Sequence, residues 1–170
     1  MSELREARPP AARGRRPWLP PRWFILLAWH GHRALVRVTR GRLGLWPPKP
    51  GGWGALLLTT TGRRTGRPRP VLVGYFEDGR NLVTLAMNRW GAAEPAWWLN
   101  LQAHPGAIVR TRDGARPVRA RRAGEGERGR LWSHWAEIDK NLDAYAALRP
   151  TETVVVVLEP ADTADPAARG

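Results

Sequence analysis

Apolar positions recur along the second half of the chain as short runs separated by turn residues. Leu56 to Thr61 (LLLTTT), Val71 to Phe76 and Leu82 to Ala86 read as strands, and Asp78-Gly79 marks a hairpin between the second and third. Ala107 to Arg112 and Arg116 to Ala123, joined by Asp113-Gly114, predict a second hairpin. Thr153 to Leu158 (TVVVVL) is strongly β-branched and fits a strand buried on both faces or one closing a barrel. Between these runs the spacing turns helical. Pro95 opens a short Trp-rich helix that Pro105 ends. Glu125 to Lys140 places Leu131, Trp132, Trp135 and Ile138 on one face, and a further short helix carries Leu142, Tyr145 and Leu148. About six strands with two or three helices, and no βαβ alternation, predict a mainly β protein: a small antiparallel β-barrel with flanking helices.

The first fifty residues follow a different pattern. Residues 1–22, rich in Arg, Pro and Ala, are expected to form a disordered basic tail, with no secretory signal. Trp23 to Trp29 is apolar but too short to span a bilayer. Continued as a helix to about Arg40, it sets Trp23, Leu26, Leu27, Ala34 and Val38 broadly on one face. Such a helix either lies on an anionic membrane surface or packs on the core of its own domain. The expected organisation is therefore a tail (1–22), an amphipathic helix and linker (23–50), a barrel domain (51–160) and a loose C-terminal tail (161–170).

Composition narrows the chemistry mostly by exclusion. The 170-residue chain has no cysteine, so disulfides, thiolate nucleophiles and Cys-ligated metals are ruled out. Its only serines are Ser2 and Ser133, without a G-x-S-x-G elbow, and it carries neither a Walker loop nor a G-x-G-x-x-G fingerprint. Of the four histidines, His30, His32, His104 and His134, only His30 and His32 are close in sequence, and no carboxylate lies near them, so no metal site is expected. If the protein is an enzyme, a cofactor does the difficult chemistry and the chain orients it. A net charge of +13, carried almost wholly by arginine, favours an acidic partner: a polyanionic ligand, an anionic membrane or nucleic acid. No nucleic-acid recognition motif accompanies the arginines, so that partner is not expected.

One loop concentrates the charge. Gly62-Arg63-Arg64-Thr65-Gly66-Arg67-Pro68-Arg69 puts four arginines within seven residues. Flanking glycines let backbone N–H groups approach an anion, and guanidinium binds phosphate or carboxylate bidentately. The bland alternative is a solvated hairpin turn; the Trp97-Trp98 helix that follows favours the cradle.

The runs LLLTTTGRRTGRPRPV, AMNRWGAAEPAWWLNLQAHP and TVVVVLEP resemble the deazaflavin-dependent nitroreductase and quinone reductase family, in order from about Leu56 to Pro160. That resemblance implies a flavin-reductase-like split β-barrel of the kind shared with FMN-binding and pyridoxamine-phosphate-oxidase-like proteins. It implies coenzyme F420, an 8-hydroxy-5-deazaflavin with a phosphodiester and a polyglutamate tail, as cofactor, and FMN less readily. By the resemblance, Arg63, Arg64 and Thr65 match positions that hold the phosphate and acidic tail. Arg69, Pro70, Val71, Leu72, Val73 and Gly74 match the strand running along the cofactor. Leu85, Ala86, Met87 and Asn88 match the strand end beside the ring, and Ala96, Trp97, Trp98, Leu99 and Asn100 match the flanking helix, at least one of whose tryptophans is expected to be mainly structural. The implied activity is hydride transfer from reduced deazaflavin to a quinone, a nitro compound or a similar flat acceptor. The family's pocket hydroxyl and late-helix tyrosines are replaced by Met87, Asp139 and Leu142, leaving Tyr145 as the matching hydroxyl and the candidate proton donor or substrate orienter. A split-barrel protein that stores F420, or binds FMN or haem without catalysis, is the alternative. A cytoplasmic protein, reversibly bound at the inner membrane face, is the expected location; the sequence sets no oligomeric state.

Overall fold

The computed structural model describes residues 44–87 and 93–161. In chain order these form β1 (Gly54–Thr61), β2 (Pro68–Asp78), β3 (Asn81–Ala86), α1 (Ala96–Ala103), β4 (Gly106–Thr111), β5 (Gly114–Arg122), α2 (Glu125–Ile138), α3 (Leu142–Ala146) and β6 (Val154–Pro160). The six strands close a barrel in the order β1-β2-β3-β6-β5-β4, every pairing antiparallel. Closure removes the exposed edges that an open sheet of this length would carry.

The two-residue period of the strands sorts their side chains into two cores. On β6, Val154, Val156 and Leu158 fill the barrel, whereas Val155 and Val157 point out into a second cluster. β3 divides in the same way, with Leu82 and Ala86 inside and Val83 and Leu85 outside. The inner core is completed by Trp97, Trp98 and Leu101 of α1; the outer one by Leu131 and Trp135 of α2 and Leu142 of α3. The valine run is therefore buried on both faces because a barrel lies on one side and a helix layer on the other. Each such side chain contributes roughly 1.5–3 kcal/mol relative to exposure.

Several boundaries move from their sequence expectation. β2 begins at Pro68 because Thr61 pairs with Pro68 and Thr60 with Arg69, so the strand ladder takes in the end of the arginine loop. Pro95 is the residue before α1 rather than its first helical residue. α2 stops at Ile138, and Leu148 lies beyond the end of α3 at 61% exposure, outside the core. The expected helix at 23–40 and both tails lie outside the described residues.

Acidic residues are mostly engaged away from β1 and the arginine loop. Arg130 donates to both carboxylate oxygens of Asp78 (2.7 and 2.8 Å), and Arg121 bridges Glu127 and Glu159. Glu152 pairs with Arg122 and Arg128. The hydrogen bonds from Arg130 and Arg121 hold the Asp78 and Glu127 carboxyls below the usual carboxylate range.

Candidate functional site

A cleft of about 1350 Å³ runs over the outside of the barrel. Its floor uses the outward positions of two strands, Leu57 and Thr59 of β1 and Pro70, Leu72 and Gly74 of β2. One flank is apolar: Leu85, Met87, Trp135 and Leu142, with Trp53 opposite. Gly74 lies at the close approach of the two indoles. A Cβ there would stand 3.4 Å from Trp53 Cε3 and 3.8 Å from Trp135 Cη2, so a larger side chain would press against both indoles.

The far end is cationic. Arg63, Arg64 and Arg69 line it, Arg110 lines the β4 flank, and Asp139 is the single acid among the described lining residues. None of the four arginines has an ion-pair partner among the described residues. Four uncompensated guanidiniums beside an apolar wall suit a ligand with one flat apolar end and one polyanionic end. Pro95, Ala96 and Trp97 bring the N-terminus of α1 to the same cleft, adding the positive end of its dipole.

The arginine loop is held from two sides. Within it, the Gly62 N–H donates to Arg67 O (2.9 Å), and the Thr65 and Gly66 N–H groups donate to Gly62 O (3.1 and 2.7 Å). Gly66 takes φ +64°, the left-handed region where glycine costs least. Gly62 is tightly enclosed, since a Cβ would meet Thr65 Oγ1 at 3.0 Å and Arg67 O at 3.1 Å and the loop would have to give by a few tenths of an ångström. From outside the loop, Asn100 clamps it. Asn100 Oδ1 accepts from the Arg63 backbone N–H (3.2 Å) and from Arg63 Nη1 (3.3 Å). Asn100 Nδ2 donates to Thr60 Oγ1 (3.1 Å), whose hydroxyl donates on to Arg69 O (3.4 Å). The amide is 5% exposed, so its hydrogen bonds form away from competing water.

Most of the expected site converges here. Arg63, Arg64, Thr65, Arg69 to Gly74, Leu85, Met87, Ala96, Trp97, Asn100, Asp139 and Leu142 all line the cleft. Ala86 and Trp98 are buried in the barrel core and do not line the cleft; Trp97 shares that core and also reaches the cleft, so both tryptophans pack structurally. Leu99 and Tyr145 are half-buried and do not line the cleft; Tyr145 falls in the last turn of α3, beyond Leu142. Asn88 lies outside the described residues. Trp53, Leu57, Thr59, Thr84, Trp135 and Arg110 were not foreseen. The alternation of Leu57 and Thr59 with buried Leu56 and Leu58 was a usable signal for the floor. Arg110 had none, because only the pairing of β1 with β4 brings it alongside Leu57.

The sequence profile of the F420H(2)-dependent quinone reductases matches residues 30–160. The chain belongs to that family. An F420H(2)-dependent quinone reductase of Mycobacterium tuberculosis is 38% identical over 74 residues, 44% of this chain and 48% of that protein. The match thus spans about half the length of these curated relatives. Among solved structures, an F420-H2 dependent reductase is similar with a TM-score of 0.56 and 25% identity, covering 62% of this chain and 93% of that one. Another, described as a domain-swapped dimer, shares the fold at TM-score 0.60 and 24% identity over 80% of this chain and 98% of its own. The F420H(2)-dependent quinone reductase profile includes both the arginine loop and the α1 clamp. The described residues of this family member contain no cluster of three or more His, Cys, Asp or Glu side chains able to hold a metal.

Proposed function

We propose that this protein is an F420H2-dependent reductase whose cleft holds the deazaflavin. The observation that carries the reading is a cleft that joins uncompensated Arg63, Arg64 and Arg69 at one end and Arg110 on its β4 flank to an apolar, Trp-lined wall. The donor set fits the cofactor: the guanidiniums and the α1 N-terminus would take the phosphodiester and acidic tail, and Leu85, Met87 and Trp97 would face the ring. When bound, reduced F420 supplies a hydride to a flat acceptor such as a quinone or a nitro compound. The chain's own part is to bind and orient through the Asn100-clamped loop and to keep the apolar flank dry. The proton that completes reduction of the acceptor comes from solvent. The test is a fluorescence titration with F420 and with FMN, which lacks the acidic tail. Tighter binding of F420 is expected; tighter binding of FMN would overturn the reading.

Among the described residues the acceptor end has one charge, Asp139, whose Oδ1 accepts the Asn141 N–H at 3.0 Å. A carboxylate beside Leu142 and Trp135 favours neutral over anionic acceptors. Asp139→Asn keeps the Asn141 contact and removes the charge, so kcat/KM for a carboxylated quinone should rise about threefold while a neutral quinone is unaffected. An unchanged ratio between the two quinones would count against Asp139 facing the acceptor.

Among the described residues, no helix is long and apolar enough to cross a membrane. The segment 13–46 joins Arg13, Arg15, Arg16, Arg22, Arg33, Arg37, Arg40 and Arg42 to Trp18, Trp23, Phe24, Trp29 and Trp46. Such a sequence suits reversible attachment to an anionic leaflet, where a lipid quinone is reached. Deleting residues 1–40 should abolish sedimentation with anionic vesicles and leave F420 binding intact; equal sedimentation of both forms would dismiss the attachment.

A further inference from the structure

Arg110 stands apart from the other cleft arginines. Arg63, Arg64 and Arg69 gather at the end of β1, where the loop begins. Arg110 sits on β4 opposite Leu57, four residues back from Thr61, which is about 13 Å along an extended strand. Across the cleft the strands follow the order β3, β2, β1, β4. The β3 flank carries Leu85, with Trp135 and Leu142 packed beside it. The β4 flank carries Arg110. The cleft is therefore graded in two directions: cationic at the loop end, and apolar to cationic from β3 to β4.

Two further facts bear on Arg110. It has no ion pair among the described residues, while Asp78, Glu127, Glu152 and Glu159 are all paired elsewhere. Its strand neighbour Ile108, on the same outward face, is 45% exposed, so no element among the described residues covers this part of β4. A solvated surface arginine would explain the charge, but not its place on the wall of a cleft whose other three guanidiniums are likewise uncompensated. A ligand whose anionic part turned back from the loop along β1 would meet Arg110, about 13 Å from Thr61 along the strand and one strand spacing of about 4.8 Å to the side.

We propose that Arg110 binds the oligoglutamate tail of the cofactor, directing that tail from the arginine loop across β1 to β4. The assignment rests on the F420 reading above. It makes Arg110 the residue that senses tail length, and leaves the phosphate to Arg63, Arg64 and Arg69.

The test is a fluorescence titration with two deazaflavins, one ending at the phosphate and one carrying several glutamates. Arg110→Ala should weaken binding of the glutamylated form about fivefold, the scale of an exposed charge-assisted contact, and leave the short form unchanged. Arg110→Lys should restore most of the loss, and the melting temperature should not move because the side chain is exposed. Arg112→Ala, exposed and off the cleft, serves as the control for diffuse charge and should be silent. Equal losses on both deazaflavins, no loss on the long one, or the same loss from Arg112→Ala would each overturn the assignment. A wild-type protein that binds both forms equally would refute the tail site and leave the cofactor reading standing. Failure to bind either form would refute both.

Discussion

Asn100→Ala is expected to weaken F420 binding about 30-fold and to lower stability by about 2–3 kcal/mol, the scale of losing several buried hydrogen bonds and orphaning their partners. The side chain makes three contacts that tie α1 to β1 and to the loop, two of them to Arg63. Without the amide, the Arg63 backbone N–H loses its acceptor and Thr60 Oγ1 loses its donor deep under the loop. The guanidiniums then remain charged but no longer converge, and binding has to order them again. The discriminating readout is hydrogen exchange at residues 63–67, which should accelerate in the variant while exchange in β3 and β6 stays slow. Full affinity in a variant with faster loop exchange would mean that loop order does not matter for binding. Unchanged exchange would mean that Asn100 is not the clamp.

The second large effect is expected at Gly54, where a methyl group should cost about 3 kcal/mol and lower the melting temperature by about 10 °C. A Cβ at this position would stand 2.6 Å from Pro48 N, 2.7 Å from Trp46 O and 2.7 Å from Tyr75 Cε1. Two of these atoms are backbone, so the segment before β1 has to move. That movement breaks the Trp46–Ala55 bridge, with its hydrogen bonds of 3.3 and 2.9 Å. It also separates Trp46 from Trp53, whose rings lie 5.2 Å apart and whose indole Nε1 of Trp46 donates to Trp53 O. Trp53 lines the cleft, so acceptor binding should weaken along with the fold. Gly54→Ala with wild-type melting and an unchanged tryptophan spectrum would show that the strap is loosely held and the contact is easily relieved.

The barrel was legible because its determinants are local. Alternation in LLLTTT, β-branching in TVVVVL and the Asp-Gly turns at 78–79 and 113–114 act within a few residues, and every predicted strand formed within a few positions of its place. The arginine loop was equally plain, since its charge and glycines are contiguous. Where local signals met tertiary pairing, pairing prevailed: the ladder drew Pro68 and Arg69 into β2, and Leu148 was left outside once α3 ended at Ala146.

What local sequence determines, then, is which residues are strand, loop or helix, and that an anion cradle exists. What only the tertiary structure decides is which of them share a cavity. Trp97 and Trp98 are adjacent and chemically identical, and both pack in the barrel core, yet only Trp97 also reaches the cleft, because α1 closes the barrel end and turns them differently. Asn100 reads as one more helix residue until β1 and the loop are laid against it. Arg110 and Leu57 lie 53 positions apart, and no periodicity in either strand encodes their meeting. It follows from barrel closure, a long-range pairing whose free energy comes from the whole buried core rather than from the residues at the site.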